Sequence, residues 1–399
     1  MVIYRVVQRE KLSVILPFFA TLYFVCTPQF SIYVSWASCL ELFIANTSGL
    51  LSGYFLYASI RDKAGRVRIL TGVFLSVCFG VVSLFTYQNG FGCFLVPFFI
   101  YLIVNPRQYK LLLLAVGLYF FIYLVYYLLF RLNLHLNEVA PNSRTRVDIN
   151  VVNKIKFMYS RPLSSAFHFT YLFNEKSLAG YIIYIVILLA WAVLTFFRLR
   201  RVSITQRGMH CAIIFIFFGL MYIPSLIIKE NYSSNRTLLA LKMAVFFLVM
   251  ESFFRVMKSP QQRKIIVAVF SVLFVVNAWF NFTKQFLIPV TYEYKALRSY
   301  IEKSYKPGVS GFHFIRPAED FFERKYGITR SWDEFGVPSS FFDWVPEFLV
   351  RQIVYEKTGD RQLAQELVIR HWLGREAYIQ SGEQVPVGGV LVDAEELMK

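Results

Sequence analysis

The first two-thirds of this chain has very few acidic residues. Residues 1–281 contain 27 Lys and Arg but only eight Asp and Glu, which gives this part a net charge of +19. Residues 282–399 contain 15 Lys and Arg and 17 Asp and Glu, a net charge of −2, so the whole chain has a net charge of +17. The basic residues are divided among short segments between apolar runs and form no continuous patch, which argues against nucleic-acid binding. This pattern is typical of membrane proteins, whose cytoplasmic loops lie next to anionic lipids.

Cysteine and histidine are also scarce, with five residues of each. The cysteines lie in or beside apolar runs and are odd in number, and the histidines are scattered, so we predict neither a disulfide framework nor a zinc site. The sequence has no Walker-type glycine loop. We therefore predict no metal-ligating residues, and the sequence indicates no nucleotide site.

Long apolar stretches fill the chain from Leu12 to Phe280. A run of about 18 to 20 mostly apolar residues suffices for a bilayer-spanning helix, which satisfies its own backbone polar groups in lipid. Residues 1–281 are therefore predicted to form a transmembrane helical domain of about nine spans. The predicted spans are 12–34, 40–60, 69–87, 91–105, 109–131, 179–197, 209–228, 237–255 and 264–281.

Basic turns between the spans predict an orientation. These turns lie at 61–68, 107–110, 198–207 and 255–264. With nine spans they fall on one side together with the basic segment Met1–Lys11, and the positive-inside rule makes that side the cytoplasm. This segment and the apolar run after it are predicted to be a signal anchor that stays as the first helix. Without the short span 91–105, the first and third turns would lie on opposite faces. We therefore predict a multi-pass protein of the bacterial inner (plasma) membrane, with the N-terminus cytoplasmic and the C-terminus periplasmic.

The tail, residues 282–399, is predicted to form a small α/β domain outside the cytoplasm. Hydrophobic periodicity and turn residues predict its elements. Helices are expected over 292–305, 340–357 and 360–375, and strands over 311–315 and 389–392. The predicted fold class is thus a polytopic α-helical membrane protein with a C-terminal extracytoplasmic α/β domain.

The outer connection 132–178 is too long for a simple turn. Val151, Ile155 and Met158 recur at helical spacing and predict an amphipathic helix on the outer surface. Arginine and lysine bind phosphate oxygens, and the neighbouring aromatic residues could lie along a lipid chain; a surface-lying basic helix without a substrate is the alternative. The basic residues of this connection include Arg144, Arg146, Lys154 and Arg161.

Lys242 is a charged residue inside a predicted span. It follows Arg236 by six residues, about 9 Å along a helix at 1.5 Å per residue. A charge at mid-membrane costs about 2.5 to 3.5 kcal/mol, so it usually faces a cavity or a partner. With the polar loop 229–237, these residues predict a cationic mouth on the outer face. In the alternative, Arg236 extends to the headgroups and Lys242 pairs with a backbone carbonyl.

Glu41 is the acidic residue at the outer end of the second span. Such a carboxylate can act as a general base for an acceptor hydroxyl or as a metal ligand. The alternative is an acid stabilised by the free backbone amides at a helix N-terminus. Asp148 and Glu138, in the outer connection, are the other acidic candidates.

Three passages give the chain a resemblance to a known class. SSNRTL at 233–238 opens a late span from the outer side, and the tail contains HFIRP at 313–317 followed by DEFGVPSS at 333–340. Together with many spans, a large outer loop and an outer α/β unit, these passages resemble the GT-C class of glycosyltransferases and related membrane proteins of bacterial surface-polysaccharide assembly.

The resemblance implies hexosyl transfer from a polyprenyl-phosphate-linked sugar to a glycan or lipid-linked acceptor, in O-antigen or capsule assembly. Glu41 or Asp148 would then be catalytic, a divalent cation would be a candidate cofactor, and membrane lipids would be further partners. The lipid phosphate would be bound by Arg144, Arg146, Lys154, Arg161, Arg236 and Lys242.

The class usually carries its carboxylate in the first outer loop, and residues 31–40 of this chain contain no acid. Two other functions therefore stay open from the sequence. One is a flippase or exporter of lipid-linked saccharide, for which the cationic mouth would be one end of a pathway. The other is a non-catalytic partner of a polysaccharide assembly enzyme.

Overall fold

A computed structural model describes residues 1–12, 17–35, 39–61, 65–106, 108–138, 147, 150–174, 176–199, 202–257, 259–332 and 334–399. The chain divides into two compact units, Met1–Ala278 and Trp279–Lys399. The sequence places the domain boundary after residue 281. Each unit is described by itself below.

The first unit is built from helices, joined by 3-10 segments at Gln88–Leu95 and Asn235–Thr237 and by a π-helical turn at Tyr159–Leu163. In chain order the helices are α1 (Val2–Arg9), α2 (Pro17–Val25), α3 (Pro28–Ser35), α4 (Leu40–Arg61), α5 (Arg66–Thr86), α6 (Val96–Val104), α7 (Lys110–Leu136), α8 (Val151–Met158), α9 (Ser164–Phe167), α10 (Leu178–Arg198), α11 (Ile204–Met221), α12 (Ile223–Ile227), α13 (Leu239–Val256) and α14 (Pro260–Phe280).

Five helical segments in the described residues are long and apolar enough to cross a membrane. They are Arg66–Thr86, Lys110–Leu136, Leu178–Phe197, Ile204–Met221 and Pro260–Ser304. At most 28% of the residues in their apolar windows are buried inside the protein, as expected for surfaces in contact with lipid. The chain is therefore a helical membrane protein, with fewer clear spans than the nine predicted. The five correspond to the predicted spans 69–87, 109–131, 179–197, 209–228 and 264–281.

Two predicted spans are not single α-helices. Span 12–34 is broken between α2 and α3, where Pro28 lacks a backbone N–H and starts a new helix. Span 91–105 is 3-10 helical up to Leu95 and α-helical only in α6. Gly92 in this segment is closely packed, since a Cβ there would lie 2.1 Å from the Met221 carbonyl oxygen. Irregular backbone is tolerated here because surrounding helices bury it.

The predicted spans 40–60 and 237–255 form the helices α4 and α13, which fall outside the five apolar segments. Small and polar residues lower the hydropathy of α4, and Gly53 lets it approach the 3-10 segment closely. A Cβ on Gly53 would lie 2.1 Å from the Phe94 carbonyl oxygen. Helix α13 is almost wholly buried and packs against α6 and α10. These helices form the core of the unit.

A buried carboxylate ties the N-terminal segment to one end of α4. Glu10 accepts hydrogen bonds from the Tyr57 hydroxyl, from Arg61 Nε at 3.1 Å and from Asn105 Nδ2 at 2.9 Å. The apolar side of α1 is buried against the same core. The end of α4, the end of α6 and the basic N-terminal segment therefore meet at one end of the unit.

A second polar cluster lies near the start of α4. Asn46 Nδ2 donates to the Tyr33 hydroxyl at 3.0 Å, and that hydroxyl donates to the Arg236 carbonyl oxygen at 2.9 Å. Helix α4 has 22 residues, and at 1.5 Å per residue it is about 33 Å long, close to the thickness of a bilayer core. Asn46 and Arg61 are the residues by which α4 joins the two clusters, so the clusters are separated by about 22 Å along the helix, about two-thirds of its length.

The second unit contains a three-stranded parallel sheet in the order β2-β1-β3. The strands are β1 (Gly311–Arg316), β2 (Val368–Leu373) and β3 (Gly389–Asp393). The helices are α15 (Ile288–Ser304), α16 (Phe321–Tyr326), α17 (Val345–Thr358), α18 (Arg361–Glu366), α19 (Gly374–Gln380) and α20 (Ala394–Leu397). Side chains alternate along a strand, so Phe312 and Phe314 pack in the core with α15 and α17, whereas His313 faces Tyr378 of α19.

The predicted helix over 360–375 is wrong in its second half. Helix α18 ends at Glu366, and residues 368–373 form β2 in register with β1. The β2 sequence VIRHWL is rich in β-branched and aromatic residues, and its backbone hydrogen bonds go to β1. The other long predicted helix, over 340–357, begins five residues later, at Val345. The predicted strands at 311–315 and 389–392 coincide with β1 and β3.

Candidate functional site

An apolar groove of about 600 Å³ lies in the first unit beside α8. Its walls come from α8, α11 and α12. The predicted helix of the outer connection is present, and its apolar residues are exposed: Val152 is 75% exposed and Ile155 is 53% exposed. The lining residues include Val151, Ile155, Met158, Phe218, Ile223 and Leu226. An exposed apolar surface of this kind fits an apolar chain better than water.

Lys154 lies at a polar edge of the groove, and its side chain is buried. Its ammonium donates hydrogen bonds to the Ile228 carbonyl oxygen at 2.6 Å and to Asn231 Oδ1 at 2.7 Å. The Asn150 side chain caps α8 by accepting a hydrogen bond from the Asn153 amide at 3.2 Å. Lys154 thus joins α8 to the loop that follows α12 and places a cation next to the apolar lining.

The SSNRTL passage forms a compact polar turn ahead of α13. Ser234 and Thr237 make a reciprocal capping box, and the Thr237 hydroxyl lies 2.8 Å from the Tyr222 hydroxyl. Arg236 is half-buried, and its Nε donates to the Tyr232 hydroxyl at 3.0 Å. The hydrogen bond from Tyr33 attaches the Arg236 backbone to α3, and Tyr33 in turn accepts a hydrogen bond from Asn46 of α4.

Lys242 is fully buried in α13, and its ammonium donates to the Phe169 carbonyl oxygen. Phe169 has a positive φ of 53°, so this contact satisfies a backbone group in an unusual conformation. The neighbouring His168 donates from Nδ1 to the Ser164 carbonyl oxygen at 2.7 Å. Burial, followed by the positive charge of Lys242, lowers the pKa of His168. The outer connection is therefore attached to α13 through Lys242.

The other predicted site residues are only partly described. Glu41 is exposed in the first turn of α4, and it accepts no hydrogen bond within the described ranges. Arg161 is exposed in the π-helical turn. Arg144, Arg146 and Asp148 lie outside the described residues. In the parts of the chain that the structure covers, no group of three or more His, Cys, Asp or Glu could hold a metal ion.

Sequence reasoning missed two buried carboxylates among the described residues of the first unit. Glu10 is the sole acid in the basic segment Met1–Lys11, which could have marked it as a structural partner. Glu251 lies inside a predicted span, is buried in α13 and accepts a hydrogen bond from Arg255 four residues later. An acid inside a span, one helical turn before an arginine, is the signal that could have revealed it.

The site residues together make an apolar groove with a cation at its edge and a polar turn nearby. A comparison of the chain with protein-family models, with curated proteins and with solved structures finds no match. Chemically, the arrangement suits an amphipathic ligand whose apolar chain lies along α8 and whose anionic group is close to Lys154.

Proposed function

We propose that this chain is a membrane glycosyltransferase of GT-C type that uses a polyprenyl-phosphate-linked sugar in surface glycan assembly, as in O-antigen or capsule synthesis. The groove beside Lys154 is the observation that carries the proposal. It offers exposed apolar side chains to the polyprenyl chain and positive charge to its phosphate. A substrate with one long apolar part and one anionic group matches both features.

In the proposed reaction, a carboxylate takes the proton of an acceptor hydroxyl, and the hydroxyl oxygen attacks the anomeric carbon of the donor sugar. The bond from that carbon to the phosphate oxygen breaks, and polyprenyl phosphate leaves with the electron pair. Glu41 is the proposed base. Arg236, Arg161 and Lys154 supply positive charge where the leaving group becomes more negative. Lys242, bonded to Phe169, holds the outer connection in place.

We further propose nine crossings of a bacterial inner membrane, with the N-terminus cytoplasmic and the second unit outside. Two clusters support this topology. Glu10 joins the basic N-terminal segment to Arg61 and Asn105, at one end of α4. Tyr33 joins the start of α4 to Arg236 at the other end. The basic N-terminal segment and Arg61 meet at one end of α4, which fits the positive-inside rule.

The groove is tested by filling it. Ile155→Trp places a bulky ring in the lining, whereas Val152→Trp changes an exposed residue of the same helix outside the lining. In nanodiscs, we expect Ile155→Trp to weaken binding of polyprenyl phosphate by at least about tenfold and to reduce sugar transfer, because a filled groove excludes the chain. Val152→Trp should behave like the unchanged protein. Equal donor binding by the two variants would contradict the assignment of the groove.

The catalytic assignment has its own test, in which Glu41, Asp148 and Glu138 are replaced by alanine singly and together. Sugar transfer that survives all of these changes would rule out the proposed mechanism.

The second candidate function is a non-catalytic assembly partner, which is favoured by the exposure of Glu41 and its lack of a hydrogen bond within the described ranges. Co-purification with a complete transferase, without activity alone, would support the partner role. Translocation of a lipid-linked sugar without any change in its glycan would support a flippase.

A further inference from the structure

The second unit has a polar pocket of about 330 Å³ over the first residues of β1 and β2. This volume is at the lower end of the range for small-molecule sites, about 300 to 1,000 Å³. The segment that precedes β3 borders the pocket on one side. The polar side chains in its walls belong to Ser310, His313, Arg370, Glu383 and Gln384.

The sheet register brings two of these side chains together. His313 in β1 is paired with Arg370 in β2. Residues paired in adjacent strands project from the same face of a sheet, so both side chains belong to the face on which α19 packs. Phe312 and Phe314, on the other face, are part of the hydrophobic core. The pocket is therefore built on a rigid sheet and separated from that core.

His313 has unused hydrogen-bonding capacity in this pocket. It is only 5% exposed, yet it forms no hydrogen bond with any described residue, and its Nδ1 is buried without a partner. Its ring is held against Trp372, with centroids 5.0 Å apart, and against Tyr378 at 6.1 Å. Burial lowers the pKa of His313, so at neutral pH the imidazole is neutral, and one ring nitrogen is a donor while the other is an acceptor.

The charges of the pocket balance. Arg370 forms an ion pair with Glu383, and both line the pocket. A phosphate ligand would meet the carboxylate of Glu383, and an apolar ligand would leave these polar groups without partners. The Gln384 amide and the Ser310 hydroxyl each offer both a donor and an acceptor. A neutral ligand with several hydroxyl groups uses all of these groups.

We propose that this pocket binds a neutral monosaccharide unit, free or at the end of a glycan. The hydroxyl groups of the sugar would bond to His313, Gln384 and the Arg370–Glu383 pair. This binding site goes beyond the transfer reaction proposed for the first unit, and it does not depend on that reaction.

The test measures sugar binding to the full chain in nanodiscs by saturation-transfer-difference NMR. The probes are glucose, galactose, mannose, rhamnose, N-acetylglucosamine and N-acetylgalactosamine, with inorganic phosphate as the anionic comparison. At least one sugar should bind with a dissociation constant on the order of millimolar, as expected for a ligand of this size. His313→Phe keeps an aromatic ring beside Trp372 but removes both nitrogens, so affinity should fall at least about tenfold.

Two further variants keep the test independent of folding defects. Glu383→Gln removes a partly exposed carboxylate from the pocket, and Glu366→Gln removes an exposed one elsewhere in the same unit. We expect weaker sugar binding for Glu383→Gln and unchanged binding for Glu366→Gln. The proposal is overturned if no sugar binds, if His313→Phe and Glu383→Gln bind sugar as well as Glu366→Gln does, or if phosphate binds in preference. Sugar binding without transfer would leave this pocket standing and contradict only the transferase proposal.

Discussion

Replacing Lys154 by methionine should release the loop that follows α12. Methionine keeps the length of the side chain but removes the ammonium, which donates to the Ile228 carbonyl oxygen at 2.6 Å and to Asn231 Oδ1 at 2.7 Å. Hydrogen bonds to charged groups contribute about 1.5 to 3 kcal/mol each. Taking the lower value for both bonds gives a loss of about 3 kcal/mol in the free energy of local opening, a factor of about 150.

Hydrogen exchange of the amides of residues 228–234, followed by mass spectrometry in nanodiscs, measures this opening. The matched control is Lys156→Met, because Lys156 is exposed on the same helix and bonds to no described residue. The loop should exchange about 150-fold faster in Lys154→Met than in the control, since the loop opens more often. Equal exchange rates in the two variants would refute the role assigned to Lys154. If the Lys154 ammonium also attracts the phosphate of the polyprenyl-phosphate-linked sugar, binding of that sugar donor should weaken in Lys154→Met and not in Lys156→Met.

Two other predictions concern stability. Gly53→Ala should lower the free energy of unfolding in detergent by about 1 to 3 kcal/mol, because the added Cβ would overlap a backbone carbonyl of the 3-10 segment. Its control is Gly117→Ala, which should not destabilise the protein because the space around Gly117 is open. Glu293→Ala removes a buried carboxylate that accepts hydrogen bonds from the Ser340 amide at 2.8 Å and from the Ser340 hydroxyl at 2.6 Å. The free energy of unfolding of the second unit, measured by amide hydrogen exchange, should therefore fall by about 3 kcal/mol. Glu366→Ala is its exposed control; a loss as large as that of Glu293→Ala would contradict the second prediction.

Hydrophobic runs predicted both the outer apolar helices and the central helices α4 and α13, but they did not distinguish the two kinds. Helices such as α5 and α7 are apolar over more than 18 residues, so composition alone marks them. Helix α4 carries glycine and serine because it packs against backbone. Helix α13 carries Lys242, whose acceptor Phe169 lies in another segment, and Glu251, which pairs with Arg255 one turn later in the same helix. Hydropathy measures transfer into lipid, whereas these helices are placed by contacts with protein.

The candidate site shows the same division. The sequence predicted the amphipathic helix around Ile155 and the basic side chains near it. It did not predict that Lys154 is buried, because the carbonyl that receives its hydrogen bond, Ile228, is 74 residues away. Likewise, β2 was predicted as helix because its apolar spacing is ambiguous over six residues, and pairing with β1 decided its conformation.

By itself, the sequence determined that the chain has lipid-facing helices, a basic excess in the first two-thirds and a mixed α/β composition after residue 281. These properties depend on side-chain chemistry and short-range periodicity, which the order of residues contains directly. Only the tertiary structure decided that Lys154 borders an apolar groove and that His313 and Arg370 share a pocket. Both sites join residues far apart in the chain, and their geometry depends on packing and strand register, which local patterns do not determine.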